Sequence, residues 1–319
     1  MLVAPKILFQ HCYSRYGIAA VNVFTMEQVL GLFSAAQKSE APFIVQTTPV
    51  ARNYAYPKML LSMIQAAAII FPKAVYAVHL DHGTELHVED AIRSGGYTSV
   101  MIDASHDAFD RNVQRTRAVV EQAHQKGVFV EAELGVLSGV EDDLVVAEEK
   151  SLYTRPEEVQ EFVTQTGCDS LAIAVGTSHG AYKFSGGGGL QFEILKEIQR
   201  RLPEYPLVLH GGSAVSAEDI ERVKAAGGDM KMGASGVEDS QLQKAIAYGV
   251  CKINIATDAR ILWARVHREF FRESPDLFDP IIPGKTYMEE FEKLMLDKFS
   301  LLGATGKAGE MKTKNYQVS

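Results

Sequence analysis

Residues 20–47, AVNVFTMEQVLGLFSAAQKSEAPFIVQT, contain one full turn of the pattern that repeats through the chain. A short β-branched and aromatic run, Ala20–Phe24, leads into a stretch of helical periodicity, Met26–Ser39, and then into a second apolar run, Phe43–Thr47. Thr25, just ahead of the periodic stretch, is a residue type that starts helices. Strand, helix and strand in this order are what two parallel strands joined by a crossover helix require.

Outward from this unit the alternation continues. Further strands are expected at Tyr76–Leu80, Ser99–Asp103, Phe129–Leu134, Ser170–Val175, Leu207–His210 and Val250–Ile255. Helices such as Arg111–Lys126, Pro156–Thr166 and Glu218–Ala226 fall between them. Eight β/α units in about this length predict an α/β chain closed into a (β/α)8 TIM barrel, with active-site groups at the carboxyl ends of the strands.

The bulk numbers agree with one domain over residues 1–319. A chain of 319 residues with 46% hydrophobic and 23% charged positions can bury one large core. The net charge of −8 argues against wholesale nucleic-acid binding and leaves small molecules as partners. Cys12, Cys168 and Cys251 have no paired spacing, which suggests neither a disulfide framework nor a cysteine zinc site and fits a reducing cytoplasm. Lys6 and the polar stretch from His11 to Arg15 precede any long apolar run, so neither a leader peptide nor a membrane span is expected.

The barrel reading makes a test available at the strand ends. The residues found there are Asn22, Thr48, Asp81 with His82, Asp103, Glu133, His179, His210 with Ser213, and Asn254 with Thr257 and Asp258. Any one of them taken alone reads more readily as a cap or turn residue; their joint position on one rim is harder to explain that way. His82, His179 and His210 would converge from the third, sixth and seventh strands, and three imidazoles with one open position suit a catalytic zinc. Each has a glycine beside it, in His-Leu-Asp-His-Gly (79–83), Gly-Thr-Ser-His-Gly (176–180) and Leu-His-Gly-Gly-Ser (209–213), where a ligand can approach the backbone closely. The loops Gly211–Ser213 and Asn254–Thr257 resemble a phosphate cradle, with Lys183 as countercharge. Gly186–Gly189 reads as a flexible loop.

On these residues the chain resembles the class II, metal-dependent fructose-bisphosphate and tagatose-bisphosphate aldolases. Further ordered matches are Ser-Val-Met-Ile-Asp-Ala-Ser-His (99–106), Val-Glu-Ala-Glu-Leu-Gly (130–135), Gly-Val-Glu-Asp-Asp (139–143), Gly-Thr-Ser-His-Gly-Ala-Tyr-Lys-Phe (176–184) and Lys-Ile-Asn-Ile-Ala-Thr-Asp (252–258). The resemblance implies Zn2+ held by His82, His179 and His210, with Asp103 and Glu133 near a second divalent or monovalent cation. It implies Asp81 as the base that starts cleavage and Glu141 as the acid that delivers a proton to the enediolate carbon. Without the resemblance, Glu141 reads as an ordinary loop acid. Gly180, Lys183, Gly211, Ser213, Asn254 and Thr257 match the pocket for the phosphate that leaves with dihydroxyacetone phosphate. Asn22 matches another site residue, and Thr48 and Arg260 match contacts to the far phosphate. A homodimer or higher homo-oligomer in the cytoplasm, acting on a phosphorylated ketose in glycolysis, is the corresponding expectation.

The sequence departs from the family pattern in places. Ala256 stands where fructose-specific relatives tend to carry Asp and tagatose-specific ones Ala, which leaves both epimers open. Ile281, in Phe-Asp-Pro-Ile (278–281), replaces an Arg that usually reaches the distal phosphate of a neighbouring subunit, which leaves two alternatives: Lys285 compensates, or the natural aldehyde product lacks that phosphate. Ser138, where glycine is common, would stiffen the loop carrying Glu141. Two other classes compete: a metal-free aldolase with Lys252 as Schiff-base lysine, and a non-catalytic phosphosugar-binding barrel. A zinc hydrolase lacks the His-Glu-x-x-His type of spacing.

Overall fold

The computed structural model of the chain describes residues 1–136, 139–141, 144–146, 153–177, 189–213, 216–230 and 237–313. Eight parallel strands close into a barrel: β1 (Ile18–Asn22), β2 (Phe43–Thr47), β3 (Tyr76–Gly83), β4 (Ser99–Ile102), β5 (Phe129–Leu134), β8 (Ser170–Ile173), β9 (Leu207–Leu209) and β10 (Val250–Ile255). The ring runs β1, β10, β9, β8, β5, β4, β3, β2, so every strand neighbours its successor in the barrel and β1 meets β10. The intervening β6 (Gly139–Glu141) and β7 (Leu144–Val146) form a separate antiparallel pair, which strand alternation alone does not predict.

All eight expected strands are present, and those at 43–47, 129–134 and 250–255 end where the sequence places them. The first begins and ends two residues earlier than its β-branched run suggests. Its start is set by pairing with β10, Ile18 against Lys252 and Ala19 against Ile253, and its end by the helix that follows, Met26–Ser39. Gln28 Oε1 accepts from the amides of Phe24 and Thr25 while Thr25 Oγ1 accepts from Gln28 N. This capping box draws Phe24 out of the ladder, and its loss would cost about 0.5–2 kcal/mol.

The strands are buried on both faces, as a barrel sheathed in helices demands. A helix at Pro5–Cys12 packs against β1 and β10 and buries Leu8, Phe9 and Cys12. The chain ahead of it bonds to the start of β3, through Val3 N to Tyr76 O at 2.8 Å. On the outside, the helix Ile281–Leu301 crosses Met26–Ser39 at Gly31, where a Cβ would sit 3.0 Å from the carbonyl oxygen of Met288. Among the described residues no helix is long and apolar enough to cross a membrane.

Candidate active site and metal centre

The third strand carries the local distortion on which the site depends. Between Leu80, paired with Val100, and Gly83, paired with Ile102, β3 holds one residue more than β4, a β-bulge. His82 absorbs it in the left-handed region at φ 47°. Such a conformation costs of order 1–3 kcal/mol and persists where the surroundings impose it. Gly83 must be glycine, because a Cβ there would lie 2.8 Å from both Met101 O and Leu80 Cδ2. In an undistorted strand Asp81 and His82 would face opposite sides. Here their donor atoms and one of His210 all lie within 4.8 Å of one another.

Asp81 is fully buried and held at both oxygens. Asn22 Nδ2, at the end of β1, donates to Oδ2 at 3.1 Å, and Asn254 Nδ2, on β10, donates to Oδ1 at 3.2 Å. Gln46 Nε2 on β2 in turn donates to Asn22 Oδ1 at 2.5 Å. Four strands therefore fix one carboxylate.

The two imidazoles stand beside it with ring centroids 4.7 Å apart. His82 Nδ1 meets Asp103 Oδ2 at 2.9 Å; Ser105 donates to Asp103 Oδ1 from its amide at 3.2 Å and its hydroxyl at 2.9 Å. Burial pushes the Asp103 carboxyl up, but the hydrogen bonds from His82 and Ser105 outweigh it and hold the group below the usual carboxylate range. His210 lies 3.2 Å from Glu131 Oε1 through Nε2 and 3.4 Å from Glu133 Oε2 through Nδ1. Burial pulls its pKa down, against the hydrogen bond to Glu131, so the neutral ring that ligates metals is favoured.

Neutral imidazoles together with anionic carboxylates are donors that suit a divalent ion. Among the described residues three groups have the required proximity: Asp81 with His82 and His210; His82 with Asp103 and Glu133; and His79 with Asp81 and Glu131. The third is filled by the chain itself. Lys252 Nζ lies 2.9 and 2.8 Å from the two Glu131 oxygens, 3.4 Å from His79 Nε2 and 4.0 Å from Asp81 Oδ1. An ammonium stands where an ion would. The first two groups share His82 and fit a metal centre at the rim. The same contacts weigh against Lys252 as a Schiff-base nucleophile, since its amine is buried and clamped by a carboxylate rather than presented to a carbonyl.

Loops after β9 and β10 meet at Ser213, whose Oγ accepts from Ala256 N at 3.3 Å. Gly211 and Ser213 follow β9 directly, and Thr257 opens the helix Thr257–Glu273, which brings its amino end to the same side. Arg260, on that helix, lies over the Phe24 ring at 5.5 Å. Thr48 caps the helix Pro49–Ala55, its Oγ1 accepting from Ala51 N at 3.2 Å, so the bland reading of this residue holds at least in part. His179, Gly180, Lys183, Ser138 and the side chain of Glu141 lie outside the described residues.

Four participants carry no site role assigned from the sequence: His79, Glu131, Gln46 and Ser105. A signal for two of them was present. His79 and Asp81, and Glu131 and Glu133, are polar pairs spaced by two on buried strands, and such pairs face one way.

Fold and site together define a metal-dependent barrel enzyme. The sequence matches the family model for fructose-bisphosphate aldolase class-II over residues 4–307. A fructose-bisphosphate aldolase of Thermus caldophilus is 41% identical over 297 residues, covering 92% of this chain and 95% of the relative. One from Giardia intestinalis is 39% identical over 308 residues, covering 95% and 93%. Among solved structures, the YdjI aldolase of Escherichia coli K12 superposes with a TM-score of 0.76 at 27% identity, covering 97% of this chain and all of that one. The chain belongs to the class II fructose-bisphosphate aldolase family and is a metal-dependent aldehyde-lyase.

Proposed function

We propose that the chain, working as one domain, cleaves a ketose 1,6-bisphosphate reversibly to dihydroxyacetone phosphate and glyceraldehyde 3-phosphate, with zinc as its ion. Fructose 1,6-bisphosphate is the first reading; the alanine at 256 keeps tagatose 1,6-bisphosphate and related phosphorylated ketoses as the alternative. The observation that carries the proposal is Asp81, a buried carboxylate aimed by two amides and set beside His82 and His210.

His82, His210 and His179 would hold the zinc, and Asp103 and Glu133 a second cation beside it. When bound, such an ion supplies Lewis acidity to the ketose oxygens. Asp81 accepts the proton from the hydroxyl next to the carbon–carbon bond that breaks. Because Asn22 and Asn254 fix both its oxygens, it meets that proton in one orientation, which saves the ordering that a mobile carboxylate would need. The bonding electrons pass to the fragment that becomes dihydroxyacetone phosphate, the other fragment leaves as the aldehyde, and Glu141 returns a proton to the carbon that received the electrons. Gly180, Lys183, Gly211, Ser213, Asn254 and Thr257 hold the phosphate of that fragment. Thr48 and Arg260 serve the far phosphate; the Thr48 hydroxyl, already an acceptor for Ala51 N, keeps its own hydrogen to donate. A homodimer or higher homo-oligomer acting in cytoplasmic glycolysis completes the reading.

Coupled assays of fructose, tagatose and related ketose bis- and monophosphates with the zinc-loaded chain test it. Cleavage that chelation abolishes and zinc restores is expected. Turnover that survives chelation, or a borohydride-trapped substrate adduct on metal-free protein, would overturn it.

A further inference from the structure

Two residues before each of three rim groups, on the same strands, lies a second polar residue: His79 before Asp81 on β3, Glu131 before Glu133 on β5, and Lys252 before Asn254 on β10. All three are at most 2% exposed. Barrels ordinarily fill such interior layers with Val, Ile and Leu. Here Lys252 Nζ donates to both Glu131 oxygens, Glu131 Oε1 also faces His210 Nε2 at 3.2 Å, and His79 Nδ1 bonds Ser99 Oγ at 2.7 Å.

Stability does not account for this pair. Desolvating two charges in a barrel interior takes back most of what their attraction returns, and apolar residues of similar volume are often as stable or more so. Their contacts point elsewhere. A carboxylate that accepts from His210 Nε2–H fixes the ring in one tautomer and leaves Nδ1, on the Glu133 side, as its donor atom. Lys252 neutralises that carboxylate, so it can sit beneath the ring without a second ion, and stands 4.0 Å from Asp81.

We infer that Glu131 and Lys252 are positioning residues: together they hold His210 in the tautomer that ligates through Nδ1 and keep the floor beneath Asp81 in one arrangement. The inference rests on the metal-aldolase reading above and adds to it a role for two groups that touch neither the ion nor the substrate.

The test compares the wild-type chain with the double variant Glu131→Leu/Lys252→Met. Zinc affinity is measured by competition with a chromophoric chelator, the His210 tautomer by long-range 1H–15N correlation, and folding by thermal melting of the metal-free chain. The wild type is expected to show a single Nε2–H tautomer. The double variant is expected to melt at the same temperature or higher, bind zinc about 10–100-fold more weakly, and populate both tautomers. A folded double variant with wild-type zinc affinity and one tautomer overturns the inference. If it does not fold, Glu131→Gln carries the test, because its amide turns a donor or a shared oxygen toward His210. A drop in zinc affinity of about tenfold or more with a changed tautomer is then expected, and retention of both overturns the inference. Failure of the wild type itself to bind zinc would instead sink the metal reading, and the same titration separates the two.

Discussion

The rim of the barrel and the layer two residues beneath it use the same chemical groups to opposite ends. Both bring imidazole and carboxylate together in a buried space. Below, His79 and Glu131 close around Lys252, a cation built into the chain. Above, His82, His210, Asp103 and Glu133 gather donor atoms of the kind that take a cation from solution. A barrel interior that concentrates negative charge needs a positive partner, and the difference lies in who supplies it. The built-in cation gives a fixed floor, and the exchangeable one gives chemistry.

The sharpest way to break this contrast is to remove the group that faces both layers. Asp81→Ala is expected to keep zinc and fold but lose about 10²–10⁴-fold in kcat, read by coupled assay beside metal analysis; near-wild-type turnover would refute its role. Next in size, His82→Ala should leave a folded chain that no longer retains stoichiometric zinc after gel filtration, whereas full retention would move the metal centre off the rim. Asn254→Ala removes one amide that aims Asp81. A hydrogen bond to a charged group is worth about 1.5–3 kcal/mol, so kcat should fall about tenfold to a hundredfold while zinc content stays. Gly83→Ala probes the bulge alone: a Cβ 2.8 Å from Met101 O should cost about 1–3 kcal/mol, visible as a lowered midpoint in urea. Smallest is Ala256→Asp, expected to shift preference toward fructose bisphosphate over tagatose bisphosphate; an unchanged epimer ratio would count against that residue.

Much of this is legible in the sequence. The eight strands follow from β-branched runs spaced by helical stretches, because parallel strands need crossover helices and their apolar faces have nowhere else to go. Asp81, His82, Asp103, Glu133, His210 and Asn254 could be placed at the mouth because barrel strands end there. What the sequence hid was local and three-dimensional. The early end of β1 depends on Gln28 reaching back to Phe24, and the bulge at His82 depends on register against β4. Lys252 read as a candidate nucleophile because a lone buried lysine carries no mark of its partner; only Glu131, 121 positions away, shows that it is clamped.

Anomalous scattering at the zinc edge from crystals of the zinc-loaded chain tests the central claim most directly. A peak about 2.0–2.1 Å from one nitrogen each of His82, His179 and His210, with Asp81 alongside and Lys252 still on Glu131, is the predicted result. An ion coordinated by His79 and Glu131, or three rim imidazoles too far apart to share one ion, would contradict it.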